Sequence, residues 1–129
     1  MSLTNAFETH TLQYLLTTDS VTRPTAWYIA LFTSDPTDTG SAGTEVSTGT
    51  GYARTAVTFT VTGDTASNSA AVEFPAASGG NWGTVSHIGV MDASSGGNMI
   101  VHSALSVAKA INDGDVFRIP TGDLDITAA

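Results

Sequence analysis

The sequence predicts a mainly β protein, an antiparallel β-sandwich or jelly roll of about eight strands with a short N-terminal helix or arm. Three observations carry this reading. Short runs rich in Val, Ile, Thr and aromatic residues recur, each closed by Gly, Pro, Asn or Asp. One run alternates cleanly, with Ala53, Thr55, Val57, Phe59 and Val61 on one face and Arg54, Thr58 and Thr60 on the other. Finally, strands do not alternate with helices, and no heptad seam or solenoid period is present, which excludes α/β, coiled-coil and repeat architectures.

The N-terminal element reads as a helix over about 5–16. Leu3, Phe7, Tyr14 and Leu15, with Thr11 between them, follow the rhythm of one helical face, and Asn5 with Glu8 has capping-box spacing. Pro24 disfavours helix at Arg23. Trp27 to Phe32 is apolar on both faces, as a central strand is. A long polar loop, 33–51, follows; a loop of that length in a compact domain is functional or disordered. The alternating strand 53–61 closes at Gly63-Asp64. Ala70, Val72 and Phe74 form the next inward row, ended by Pro75.

Between Phe74 and His102 the same turn occurs twice, as Ser78-Gly79-Gly80-Asn81 and Ser95-Gly96-Gly97-Asn98. Gly and Asn tolerate the positive φ that tight reversals need. The stretch therefore reads as a meander of strand, turn, strand, turn, strand, with strands at 84–92 and 98–103. Further strands are expected at 105–111, at 116–119 after the Asn112-Asp113-Gly114 turn, and at 123–127. The chain divides into an N-terminal helix or arm, 1–24, and a β-sandwich domain, 25–129.

Composition narrows the function. The chain has 129 residues, a net charge of −8 and no cysteine. Disulfides, thiolate nucleophiles and Cys-based zinc sites are excluded. The only permanent cations are Arg23, Arg54, Lys109 and Arg118, too few and too scattered to neutralise a phosphate backbone, so no nucleic-acid partner is expected. Charged residues make up 12% of the chain, against about 25% in typical proteins; the surface is rich in Ser and Thr instead. No apolar run approaches the roughly 18 residues of a membrane span, and no secretion signal is evident. The expectation is a protein made in the cytoplasm, neither secreted nor membrane-bound.

Candidate chemistry is sparse. His87 and His102 lie on adjacent predicted strands, and with Asp92 they would make a minimal metal set, but no short-range ligand spacing supports one. The pairs Asp35/Asp38, Asp113/Asp115 and Asp123/Asp125 do not extend into a calcium loop. Ser86-His87 lacks nucleophile-elbow spacing. No catalytic residue, metal or cofactor is expected. Among the aromatics, Trp27 reads as core. Trp82, set between Asn81 and Gly83, reads as an exposed anchor, and Trp82 with Tyr52 would suit a sugar-stacking surface.

The order of motifs resembles a known family. Trp27-Tyr28-Ile29-Ala30-Leu31-Phe32-Thr33-Ser34-Asp35-Pro36 is followed by Gly43-Thr44-Glu45-Val46 and Gly51-Tyr52-Ala53-Arg54. Then come Asn68 to Ala77, Trp82-Gly83-Thr84-Val85, Ile88 to Ala93, and Gly114-Asp115-Val116-Phe117-Arg118. Together, over nearly the whole chain, they resemble small tailed-bacteriophage virion proteins, which are labelled tail fibre proteins or look like capsid cement. The resemblance implies a non-enzymatic structural protein located in the virion. The leading expectation is a capsid cement or decoration protein that bridges capsid subunits, with the major capsid protein and copies of itself, as dimer or trimer, for partners. The alternatives are a tail or tail-fibre-base adaptor bound to tail proteins, and a carbohydrate-binding β-sandwich. Expected contact residues are Phe7, Tyr14 and Leu15 on the arm, Asp35, Asp38 and Glu45 in the long loop, and Trp82.

Overall fold

The computed structural model describes residues 1–128; Ala129, the last residue of the expected sandwich domain, lies outside them. The elements are β1 (Ser2–Leu3), α1 (Asn5–Leu16), β2 (Tyr28–Phe32), β3 (Thr55–Ala56), β4 (Phe59–Thr62), β5 (Thr65–Asn68), β6 (Val72–Glu73), β7 (Gly83–Met91), β8 (Met99–Ile111), β9 (Arg118–Ile119) and β10 (Asp125–Thr127). All strand pairs are antiparallel. They form a five-stranded sheet in the order β1-β8-β7-β2-β3, a three-stranded sheet β10-β5-β4, and a two-stranded pair β6-β9. The mainly β, sandwich-like expectation holds, with ten strands among the described residues in place of eight.

One core joins the sheets. Ile29 and Leu31 of β2, Val85, Ile88 and Val90 of β7, Val72 of β6 and Ile119 of β9 pack in a single buried cluster with Tyr52, Phe74, Trp82 and Phe117. Phe74 makes edge-on contacts with Phe117 and Trp82, at ring separations of 5.7 and 6.3 Å. The opposite face of β2 supplies Ala30 and Phe32 to a second cluster with Met91 and Met99. Both faces of β2 are thus covered, which explains its uninterrupted apolar run.

Several expected elements change shape. The run 53–61 is not one strand: β3 pairs with β2, whereas β4 belongs to the three-stranded sheet. The chain switches sheets at Val57-Thr58, a corner common in sandwiches. Val57 N–H still bonds Trp27 O and Ser69 N–H bonds Thr58 O across the bend, but the expected alternation does not carry through: Val57 is buried, whereas Ala53 and Val61, expected on its face, are exposed. Gly63-Asp64 does more than close a strand. It is the two-residue loop of the β4–β5 hairpin, with Gly63 at φ 62°. Segments 98–103 and 105–111 are one strand, β8, whose register jumps between His87↔Ala104 and Val85↔Lys109. The extra residues form a bulge that places Val107 in solvent. Ala70 is exposed rather than inward.

The two Ser-Gly-Gly-Asn turns do different work. The second is a hairpin between β7 and β8, closed by Asp92 N–H to Asn98 O at 3.1 Å and Asn98 N–H to Asp92 Oδ1 at 2.7 Å. The first is a crossover, because β6 pairs with β9 and not with β7. The expected meander therefore covers only its second half.

The helix spans the expected residues but starts differently. Its N-cap is Thr4, with no side-chain capping bond. The Thr4 hydroxyl instead donates to Met99 O at 2.7 Å, pinning the helix start to β8.

Candidate functional site

β1 and α1 form an arm lying on the outer edge of β8. Ser2 pairs with His102 and Leu3 with Val101. Thr4 N–H donates to Ile100 O at 3.0 Å, and Asn5 N–H donates to Asp38 O at 2.9 Å. Phe7 is buried and meets the His10 ring edge-on at 4.9 Å. Beyond that turn the helix is apolar on more than one face and largely uncovered. Leu12, Tyr14, Leu15 and Leu16 are 57%, 76%, 66% and 77% exposed. These apolar side chains stand exposed together on the C-terminal half of a helix whose other positions, Glu8, Thr9, Thr11 and Gln13, are polar.

An open, mainly apolar groove of about 440 Å³ runs between α1 and residues 21–24, lined by Phe7, His10, Tyr14, Leu15, Val21 and Pro24 among others. His10 Nδ1 is buried there without a hydrogen-bond partner among the described residues. An orphaned buried polar atom in an apolar groove is costly in an isolated chain.

The long loop 33–51 is ordered by its neighbours. β3 covers β2 only at Tyr28 and Ile29, so the rest of that edge lacks a strand partner. The loop supplies one: Val46 N–H donates to Leu31 O at 3.0 Å, Thr33 N–H to Thr44 O at 2.9 Å, and Leu31 N–H to the Tyr52 hydroxyl at 3.0 Å. Tyr52 in turn donates to Glu45 Oε2 at 2.7 Å. Arg54 grips the same carboxylate with Nε at 2.9 Å and Nη2 at 2.8 Å, and its Nη1 donates to Ala93 O and Gly96 O. Burial pushes the Glu45 carboxyl up, but the Arg54 and Tyr52 hydrogen bonds outweigh it and hold it below its ordinary value. Burial and the acidic neighbour raise Tyr52, which stays a neutral donor.

These contacts relocate several expected contact residues. Glu45 is an internal ion-pair partner. Trp82 is not an exposed anchor: it is 5% exposed, and its indole N–H donates to Thr50 O at 2.9 Å. The same carbonyl accepts Ser78 N–H, so the first Ser-Gly-Gly-Asn turn seats the tryptophan inward. Tyr52 is 3% exposed and meets Trp82 edge-on at 5.4 Å. Neither ring can stack on a sugar, so the sugar-stacking surface expected from Trp82 and Tyr52 does not form. Phe7 is buried in the arm, whereas Tyr14 and Leu15 are free to touch a partner.

Asp35 and Asp38 hang from the loop toward the five-stranded sheet. Asp38 Oδ1 lies 2.9 Å from His102 Nε2, and Asp35 Oδ1 lies 3.9 Å from His87 Nε2. Ser86 Oγ sits 2.8 Å from His87 Nδ1. The Asp35 distance is beyond hydrogen-bond reach, and serine and carboxylate sit on the opposite ring nitrogens from a catalytic triad. His87 and His102 are offset along their strands, facing Ala104 and Gly89. Asp92 is engaged in the hairpin. Among the described residues no three His, Asp or Glu side chains converge on a metal-sized site.

The built surfaces are thus an apolar helix and a pinned loop. The family model described as Gp80, Podophage GP4 fiber I protein gp80, matches residues 2–127. The chain belongs to this family. The match spans the arm, the loop and the described sheets, and it supports a phage virion structural protein that resembles the tail-fibre type. No curated protein sequence matches the chain.

Proposed function

We propose that this Gp80-family chain is a non-enzymatic fibre-type subunit of a phage virion, an adaptor that joins other virion proteins through the α1 surface. The observation that carries this is the uncovered helix: Leu12, Tyr14, Leu15 and Leu16 stay exposed on an arm whose base is firmly seated. An assembly that covers them gains the hydrophobic free energy the isolated chain forgoes. The family's printed description names a fibre, which supports the adaptor reading over the capsid cement reading.

Gold-labelled antibody on intact virions tests this. Label at the tail or fibre base, at low copy number per particle, is the expected result. Label spread over the head at a copy number matching the shell subunits would establish the cement reading and its major capsid protein partner instead. Loss of the protein from particles when Leu12, Leu15 and Leu16 are changed to Ser would tie incorporation to the helix.

A further inference from the structure

An open pocket of about 530 Å³ sits between the long loop and the β7–β8 hairpin, lined by Glu45, Thr48, Tyr52, Arg54, Ser94 and Ser95 among others. It shares no lining residue with the groove beside α1.

The ion pair at this pocket keeps free hydrogen-bonding capacity. An arginine carries five N–H donors, and each carboxylate oxygen has two lone pairs. Arg54 gives Nε and one N–H of Nη2 to Glu45, and both of Nη1 to Ala93 O and Gly96 O. The second N–H of Nη2 is left over. Glu45 Oε2 accepts from both Tyr52 and Arg54, whereas Oε1 accepts from Nη2 alone. A free acceptor site on Oε1 therefore lies on an atom 2.8 Å from the nitrogen that carries the free donor. The walls have capacity as well. Thr48, Ser94 and Ser95 are exposed, and their hydroxyls bond no protein group among the described residues.

These features select the chemistry of a ligand. The two charges offset each other, so an anion would meet Glu45 and a cation would meet Arg54, each with no net gain. A neutral ligand that both donates and accepts is favoured. Adjacent hydroxyls of a sugar ring do this: one accepts from Nη2 while its neighbour donates to Oε1. The other ring hydroxyls then face Thr48, Ser94 and Ser95. The pocket has the volume of ordinary small-molecule sites. Tyr52 and Trp82 are turned inward, so hydrogen bonds, not ring stacking, do the recognising. Arg54 and Glu45 already hold each other in place, so binding orders no further long side chain.

We propose that this pocket binds a neutral saccharide, through a vicinal diol held by Arg54 Nη2 and Glu45 Oε1. The proposal goes beyond the adaptor reading and does not depend on it.

The full chain is titrated with the methyl glycosides of glucose, galactose and mannose, and followed by backbone amide and Arg54 Nε chemical shifts. The controls are the 3-deoxy form of each sugar, in which no two ring hydroxyls are adjacent, and acetamide. Shifts at Thr48, Ser94, Ser95 and Arg54, with a dissociation constant on the order of 1 mM for at least one hexoside, are the expected result. Its 3-deoxy form should bind about fivefold more weakly or worse. A variant carrying Thr48→Ala with Ser95→Ala, both at exposed positions that leave the ion pair intact, should weaken binding by a similar factor. The absence of shifts from every hexoside at about 50 mM, far above that constant, would overturn the proposal. Equal binding of the 3-deoxy forms would do the same, as would unchanged binding by the double variant or shifts centred on the α1 groove. Acetamide binding as tightly as the hexosides would mean that the pair reads an amide, and would also overturn it. Location in the virion is read by the labelling experiment, so the two readings fail separately.

Discussion

Arg54 and Glu45 form a two-point ion pair, Nε to Oε2 at 2.9 Å and Nη2 to Oε1 at 2.8 Å, and the guanidinium's remaining nitrogen holds the carbonyls of Ala93 and Gly96. One side chain therefore fastens the long loop to the β7–β8 hairpin. Arg54 is 10% exposed and Glu45 26%, so solvent screens the pair only in part. Arg54→Lys keeps the charge but loses the fork, and is expected to cost about 1–2 kcal/mol. Arg54→Met leaves Glu45 half-buried and unpaired, for about 2–4 kcal/mol. Thermal melts check both, at roughly 3–5 °C per kcal/mol for a chain of this size.

The same pair has a pH signature. Glu45 is held below its ordinary value of 4.5 in the folded state. Its contribution is therefore complete above that value and is lost as pH falls through the lower, folded value. The stability gap between the native chain and Glu45→Gln should be flat near neutrality and shrink under acid. Urea melts at a series of pH values measure it; a gap that widened under acid would contradict the assignment.

Tyr52→Phe removes one oxygen that serves both Leu31 N–H and Glu45. The Leu31 amide is then buried without an acceptor, a loss of about 1–3 kcal/mol. Faster hydrogen exchange at the Leu31 amide, rather than at β7 in general, is the specific readout.

Changing Leu12, Leu15 and Leu16 together to Ser should cost the single chain no more than about 1.5 kcal/mol, since each exposed site moves stability by about 0.5 kcal/mol or less. Association should fall by at least about tenfold, the equivalent of ~1.4 kcal/mol. Sedimentation across a concentration series separates the two effects.

Gly96 and Gly97 should respond unequally to Ala. Both have positive φ, at 62° and 71°. A Cβ at Gly96 meets nothing, whereas one at Gly97 collides with the Asp92 carboxylate and Ala93. Gly96→Ala should cost about 1–2 kcal/mol, the ordinary left-handed penalty, and Gly97→Ala more, with loss of the Asp92–Asn98 closure.

Local pattern carried much of the architecture. The helix limits, the two-faced apolar run of β2, the inward Val72 and Phe74, and the second Ser-Gly-Gly-Asn hairpin were all readable from periodicity and turn chemistry. Contacts between distant segments were not. Trp82 sits among Asn and Gly, the company of an exposed residue, and only the Thr50 carbonyl from the long loop explains its burial. Glu45 looked like a surface acid because Arg54 lies in a different segment. The β4–β5 hairpin did leave a signal, Thr62-Gly63-Asp64-Thr65, a two-residue loop with Gly leading. Thr65 to Asn68 lacks apolar character, so that signal is easily read as a mere end of strand. At the site, Tyr14 and Leu15 were legible as helix-face residues, but their exposure depends on how little of α1 the sheet covers.

The placement of β2 has a mechanical meaning. The connector from α1 runs directly into this strand, which is bonded to β7 over five residue pairs and to β3 over two. Ladder bonds lie across the strand direction. A pull on the arm directed along β2 therefore loads those bonds in shear and together, instead of peeling them one at a time. Tension arriving from a neighbour would enter the fold at a strand braced on both sides, and the sheet would bear it as a unit.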